Sequence, residues 1–322
     1  MLTIHGLIDS RLITAAISSA PPPEGRAVWF DLLEPDEEED RLVEEMLGVA
    51  VPTRDEMQEI EASSRLYEED GALYMTALVP FLFETDDPRV TPITFVLAGD
   101  RLVTVRYDRP RSFDIFRARA ERPVAGLVDG RSVLIGLLET IIDRLADGLE
   151  RIGADLERLS ADVFRPRRER EKELEDAITA IGRMGGAIAR AEESIVSLSR
   201  LFHYLGEENG RERLDRDGKA RLATLELDAR SLAEHAKSLD ARVNFLLTAT
   251  LGLVGLEQNT IVKIFSVLAV VFMPPTLIAS IYGMNFHFMP ELDEAWGYPM
   301  AIALMVASVA TTFAVFKWKR WL

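Results

Sequence analysis

The sequence predicts an α+β soluble domain that passes into long coiled helices and closes on a two-helix transmembrane hairpin. Three observations carry this. Residues 264–290 and 296–316 contain no Asp, Glu, Lys or Arg, and each stretch exceeds the roughly 20 apolar residues that cross a hydrocarbon core. From about residue 131, apolar side chains recur every three or four positions, the spacing of a coiled seam. Before that, β-rich runs alternate with turn signals. The domains that follow are 1–125, 126–260 and 261–322.

Composition narrows the function. A chain of 322 residues has room for one large soluble domain beside the hairpin. Cysteine is absent, which excludes disulfides and thiolate metal sites. A formal charge of −16 argues against nucleic acid as a partner, since that binding rests on neutralising phosphates with Lys and Arg. The same charge suits cation handling and an ordinary acidic domain equally.

In chain order, residues 12–20 have the apolar, small-residue look of a signal peptide. They lack a basic leader and run straight into Pro21, Pro22 and Pro23, so a short strand and turn is expected, with no cleavable export signal. Residues 27–33, 72–79, 91–98 and 101–107 read as strands, the last two joined by the turn signal Gly99-Asp100. The acidic run from Asp36 to Asp40 has the look of a metal trap. It also follows Pro35 and precedes Leu42, Val43, Met46 and Leu47, which makes it the first turn of a helix, where acids complement the helix dipole.

Three seams follow. Leu138, Ile141, Leu145, Leu149, Ile152, Leu156, Leu159 and Val163 form the first, ended by Pro166. Ile178, Ile181, Met184, Ile188, Ile195, Leu198 and Leu201 form the second, ended by Gly206 and Gly210. The third starts near Leu214 and meets no proline before Pro274, so it predicts one helix running from the soluble part into the membrane.

The spans are expected at about 262–282 and 297–316. Arg242 and Lys263 precede the first, and Lys317, Lys319 and Arg320 follow the second. The connecting loop carries only the acids Glu291, Asp293 and Glu294. The positive-inside rule then puts both termini in the cytoplasm, in an inner-membrane, multi-pass arrangement.

At 100° per residue, Asn259, Val262, Ser266, Ala269, Met273, Thr276 and Ser280 share one arc of the first span, with Ile264, Leu268, Val271, Pro275, Leu277 and Ile278 opposite. Small and hydroxyl residues serve helix packing in membranes, and a water-lined path would use the same types. The stripe alone leaves both open. A pore reading demands several copies around an axis. Pro274 and Pro275 remove two backbone donors and are expected to loosen the span beside Met273, an apolar gate or a gap-filler.

The residues also carry a resemblance. Residues 257–266 (Glu-Gln-Asn-Thr-Ile-Val-Lys-Ile-Phe-Ser), 272–276 (Phe-Met-Pro-Pro-Thr), 282–286 (Tyr-Gly-Met-Asn-Phe) and 289–292 (Met-Pro-Glu-Leu) closely resemble the CorA family of divalent-cation transporters. Residues 52–61 and 317–322 are similar to it too, so the likeness covers nearly the whole chain. Gly-Met-Asn after a proline-containing span and before a second span is a specific pattern.

The resemblance implies a funnel-shaped homopentamer in membrane lipid, with five first spans around the pore. It implies a selectivity filter at Gly283, Met284 and Asn285. It places Asn259, Met273 and Thr276 on the ion pathway, which Ser266 and Ser280 share by their position on the arc. Glu291, Asp293 and Glu294 would concentrate cations outside. Mg²⁺ becomes the substrate, with Co²⁺ or Ni²⁺ admitted, and also a regulatory ligand sensed by cytosolic carboxylates. Glu84, Asp86, Asp87, Glu226 and Asp228 are the candidates for that role, with solvated surface as the competing reading.

Met284 favours the magnesium branch over a zinc-handling relative. A membrane-anchored coiled-coil scaffold would need neither the polar stripe nor the filter loop. No nucleophile constellation or P-loop supports an enzyme, and His5, His203, His235 and His287 share no ligand spacing. No cofactor is expected beyond the transported ion.

Overall fold

The computed structural model describes residues 1–16, 26–83, 85, 87–124, 126–165, 171–207, 210, 213–284, 289–290 and 294–319. They fall into two compact units, Met1–Leu247 and Thr248–Leu322. The proline run 21–23 and Pro166 lie outside the described residues.

In the first unit a seven-stranded sheet has the order β2-β1-β3-β7-β6-β5-β4. β1 (Leu2–Ile8) and β2 (Arg11–Ala16) form a hairpin whose turn holds Asp9 and Ser10 at positive φ, the geometry that matches strand twist. β3 (Arg26–Leu33) pairs antiparallel with β1 and parallel with β7 (Arg101–Arg106). β4 (Leu66–Glu69), β5 (Ala72–Phe81), β6 (Arg89–Ala98) and β7 complete an antiparallel meander.

The helices of this unit are α1 (Glu37–Leu47), α2 (Arg54–Gln58), α3 (Ala62–Arg65), α4 (Arg111–Ala120), α5 (Gly130–Phe164) and α6 (Glu171–Gly206), with α7 (Arg216–Tyr282) beginning here. The acidic run is a cap. The Asp36 side chain accepts from the backbone N–H groups of Glu38 and Glu39, and Glu39 returns a bond to the Asp36 N–H.

Helices cover both faces of the sheet. Val43 of α1 and Met57 of α2 pack against Ile4, Phe30, Leu32, Tyr74, Val103 and Val105. On the other face Trp29 lies against Phe113 and Phe116 of α4, and α5 and α6 cross the central strands. Residues 28–33 of β3 are therefore all buried, a run without polar alternation, as two-sided cover requires.

The α4–α6 side also carries a dry polar network. Trp29 Nε1 donates to Thr104 Oγ1 at 2.9 Å, and that hydroxyl donates to Asp31 Oδ1 at 2.8 Å. Arg106 grips the same carboxylate with two bonds of 2.9 and 2.7 Å and lies over the Phe113 ring. His5 stacks on Trp29 at 4.2 Å, its Nδ1 bonded to Thr14.

Two further contacts tie helices to strands. Gly130 opens α5 so close to the sheet that a Cβ there would lie 2.4 Å from Leu102 N and 2.7 Å from Val28 O. Ser194 and Ser197 of α6 hold Leu78 of β5 by its backbone, Ser194 Oγ donating to the carbonyl at 2.6 Å and the amide donating to Ser197 Oγ at 3.0 Å. β4 stops pairing with β5 at Leu66–Met75, so no strand among the described residues lies beside Leu78 on that side. The serines supply the bonds that a neighbouring strand would have made.

Candidate ion pathway

The second unit holds the C-terminal part of α7 and α8 (Gly297–Trp318). Both helices are long and apolar enough to span a bilayer, with 18-residue windows of mean hydropathy 2.2 and 2.0. The helical assignment of α7 continues through Pro274 and Pro275 to Tyr282. Tolerance of internal proline is common in membrane helices, where neighbours satisfy the freed carbonyls.

Exposure divides α7 into two faces. Val267, Val271, Pro274, Pro275, Ile278 and Tyr282 are half-buried. Asn259, Val262, Ser266, Ala269, Met273, Thr276 and Ser280 are all exposed, Met273 to 66%. At 100° per residue the two sets are centred about 160° apart. The covered residues of α8 also form one stripe, with Gly297, Ala301 and Phe316 buried and Met300, Met305, Ser308, Val309 and Thr312 partly so. Among the described residues of this unit these are the two helices present, so each stripe is the face turned to the other helix. Phe316 shares a cavity of about 560 Å³ with Asn259, Lys263, Ser266, Val267 and Val270, which brings the end of α8 beside the start of the span.

The sequence-predicted opposite face therefore splits. Val271, Pro275 and Ile278 pack as expected of a face turned to the second span. Ile264, Leu268 and Leu277 stay exposed at 55%, 46% and 61%, as lipid-facing residues do. Both prolines sit on the packed face, not on the arc with Met273.

Thr276 Oγ1 donates to the Phe272 carbonyl at 2.7 Å. With its proton committed to the backbone, the hydroxyl presents only oxygen lone pairs to the exposed face. Such a group suits the outward-pointing hydrogens of a hydrated cation. At the far end Gly283 N–H closes the last turn on Ala279 O at 2.9 Å, and Met284 N–H bonds Ile281 O at 3.3 Å. A Cβ on Gly283 would come 3.1 Å from the Ala279 carbonyl, a tight approach that glycine avoids. The C-terminal end of the helix, with the negative pole of its dipole, thus points at the loop. Asn285, Glu291 and Asp293 lie outside the described residues; Glu294 is exposed.

Of the acids considered for sensing, Asp87, Glu226 and Asp228 are among the described residues, and each has different neighbours. Glu84 and Asp86 lie outside the described residues. Asp87 is held by Arg89 at 2.9 and 2.6 Å. Glu226 lies beside Gly206, whose added Cβ would be 3.4 Å from its Oε1. Asp228 instead acts on Asp143 of α5, whose carboxyl is raised above the usual range by burial and by Glu139, Asp147 and Asp228, with Arg119 opposing. Sequence reasoning missed Asp143, although Glu139, Asp143 and Asp147 at four-residue intervals signalled an acidic stripe. No group of three metal-ligating residues forms among the described residues.

Comparison with known proteins covers the whole chain. The family model described as CorA-like Mg²⁺ transporter protein matches residues 24–320. The chain is 36% identical over 324 residues to the magnesium transport protein CorA of Escherichia coli strain K12, with 100% of both proteins covered. It is 37% identical over 308 residues to that of Pectobacterium atrosepticum, covering 92% of each. Among solved structures, the complete CorA magnesium transporter of Methanocaldococcus jannaschii superposes with a TM-score of 0.78 at 19% identity, covering 100% of this chain and 99% of that one.

Proposed function

The chain belongs to the CorA family of divalent-cation transporters, which are not enzymes, and from that premise we propose that it is a passive Mg²⁺ channel of a bacterial-type inner membrane. In this reading five copies assemble as a funnel, first spans inward, with both termini in the cytoplasm. The observation that supports it best is the exposed arc of α7, which lies opposite the face packed on α8 and carries Asn259, Ser266, Thr276 and Ser280.

Mg²⁺ sheds water reluctantly, so neutral acceptors would contact its hydration shell rather than replace it. Gly283, Met284 and the Asn285 amide form the outer filter. Thr276 offers oxygen without a competing proton, and Met273 makes the apolar constriction. Glu291, Asp293 and Glu294 raise the local cation concentration outside. The membrane potential contributes about 2.3 kcal/mol per elementary charge per 100 mV, doubled for a divalent ion, and drives influx. Co²⁺ and Ni²⁺, with similar hydration shells, share the path.

Cytosolic Mg²⁺ is also the regulatory ligand of the proposal. It bridges acids of neighbouring copies and favours the closed state through differential affinity. Glu84, Asp86, Asp87, Glu226 and Asp228 remain the candidate acids.

Uptake into liposomes holding the purified protein tests the reading across Mg²⁺, Co²⁺, Ni²⁺ and Zn²⁺. Asn285→Ala is expected to abolish uptake while assembly persists. Wild-type uptake by the assembled variant would overturn the filter assignment.

A further inference from the structure

We propose that the groove between α7 and α8 at the start of the first span holds the headgroup of an anionic phospholipid. The groove has a volume of about 560 Å³ and lies wholly within the second unit.

Its lining sets the chemistry. Leu256, Val267, Val270 and Phe316 give apolar walls, and Lys263 supplies the charge. No Asp or Glu lines the groove, and Lys263 has no ion pair among the described residues. A charge held against apolar walls is costly unless an opposite charge meets it. Lys263 stands where the charge-free stretch begins, at the level of lipid phosphates. Basic pockets between membrane helices at that level take anionic headgroups. Val267 and Val270 follow about one and two turns deeper into the span, where an acyl chain runs.

Helical geometry argues for a lipid over a neighbouring copy. At 100° per residue, Leu256, Lys263, Val267 and Val270 are centred about 100° from the middle of the polar arc. The face packed on α8 lies about 160° from it. In a ring of five with the arc turned to the axis, the neighbouring first spans stand about 50° to either side of it. The groove then falls in the gap between the next copy and α8, open to the bilayer. This opening rests on the ring assembly proposed above. Asn259 and Ser266 form the inner rim and belong to the arc. The Thr260 hydroxyl donates to Leu256 O at 3.0 Å and has no proton left for a phosphate, so Lys263 carries the selectivity.

The test uses the full-length protein in detergent, with phosphatidylglycerol as ligand and zwitterionic phosphatidylcholine as control. Native mass spectrometry reads copy number and retained lipid together, and thermal unfolding gives a second affinity. Phosphatidylglycerol is expected to be retained and to raise the Tm saturably, and phosphatidylcholine to do neither. Lys263→Gln is expected to weaken phosphatidylglycerol binding about five-fold, the scale of one basic side chain at a membrane surface. Lys263→Arg keeps the binding. Lys317, exposed at the same end but outside the lining, controls for diffuse charge, and Lys317→Gln is expected to weaken binding less. Equal loss in the two glutamine variants, parental binding by Lys263→Gln, or equal retention of both lipids overturns the site. A protein of one copy would overturn the ring, and the crevice with it. An intact ring without lipid preference would overturn the lipid alone.

Discussion

Thr276 and Phe272 are joined by a hydrogen bond of 2.7 Å that turns a hydroxyl into a pure acceptor. Because the bond runs along the helix, the acceptor is held in place without any contribution from α8. Thr276→Val keeps the shape and removes the oxygen. A neutral hydrogen bond is worth about 1 kcal/mol and acts once per copy around a shared axis, so Mg²⁺ uptake is expected to fall at least about ten-fold. Thr276→Ser keeps the acceptor and most of the rate. Equal uptake by the valine variant would place the hydroxyl off the ion path.

The two faces of α7 predict a labelling pattern. Cysteine at Asn259, Thr276 or Ser280 is expected to react with charged aqueous thiol reagents, and cysteine at Val271 or Ile278 is not. The parent chain has no cysteine to confuse the result. Equal labelling at Val271 would mean that the packed face is wet and the arc misassigned.

His5 predicts a pH dependence of stability. Burial pushes its imidazole down to about 4, and the Arg117 and Arg106 charges add to that, while the Asp31 carboxylate opposes. The unfolded chain titrates near the ordinary value of about 6.5. Between these values the unfolded state binds the extra proton, so stability is full above about 6.5 and is lost as pH falls toward 4. The loss approaches about 3 kcal/mol at the acid end. His5→Phe preserves the stack on Trp29 and is expected to flatten this part of the profile. Urea midpoints measured across the window check it, and an unchanged slope in the variant would assign the acid sensitivity elsewhere.

Gly130→Ala is expected to cost about 3 kcal/mol, near the upper end of overpacking. The new methyl meets backbone atoms of Leu102, Arg101 and Val28, none of which can swing aside as a side chain would. Thermal unfolding in detergent reads the effect. A parental Tm would show that α5 shifts freely on the sheet.

Much of this architecture was legible in the sequence, and the gaps have physical causes. β5 and β6 announce themselves as long apolar runs bounded by Asp70-Gly71 and Gly99-Asp100. β1 hides because His5 and Gly6 interrupt its apolar run, at the very place where the ladder register shifts. β4 has four residues, two of them acids, and is defined by its partner strand rather than by its own pattern. α4 carries three arginines, but Phe113, Phe116 and Ala120 form a three-and-four stripe that could have revealed it. The arc of the first span follows from helical geometry alone. Which apolar residues opposite it touch α8 does not, because lipid and a neighbouring helix ask for equally apolar side chains.

The serine clasp on Leu78 gives α6 an uneven mechanics. Ser194 and Ser197 fasten the helix near its C-terminal end, where it lies on β5. Sliding or rolling there would break the hydrogen bonds of two partly buried backbone groups. Some ten residues earlier, Gly182, Gly185 and Gly186 weaken the helix, each by about 1 kcal/mol relative to alanine. The helix is thus stiffest at the clamp and softest at the glycines short of it. Bending concentrates there, and amide exchange is expected to be faster over residues 182–186 than over residues 194–202.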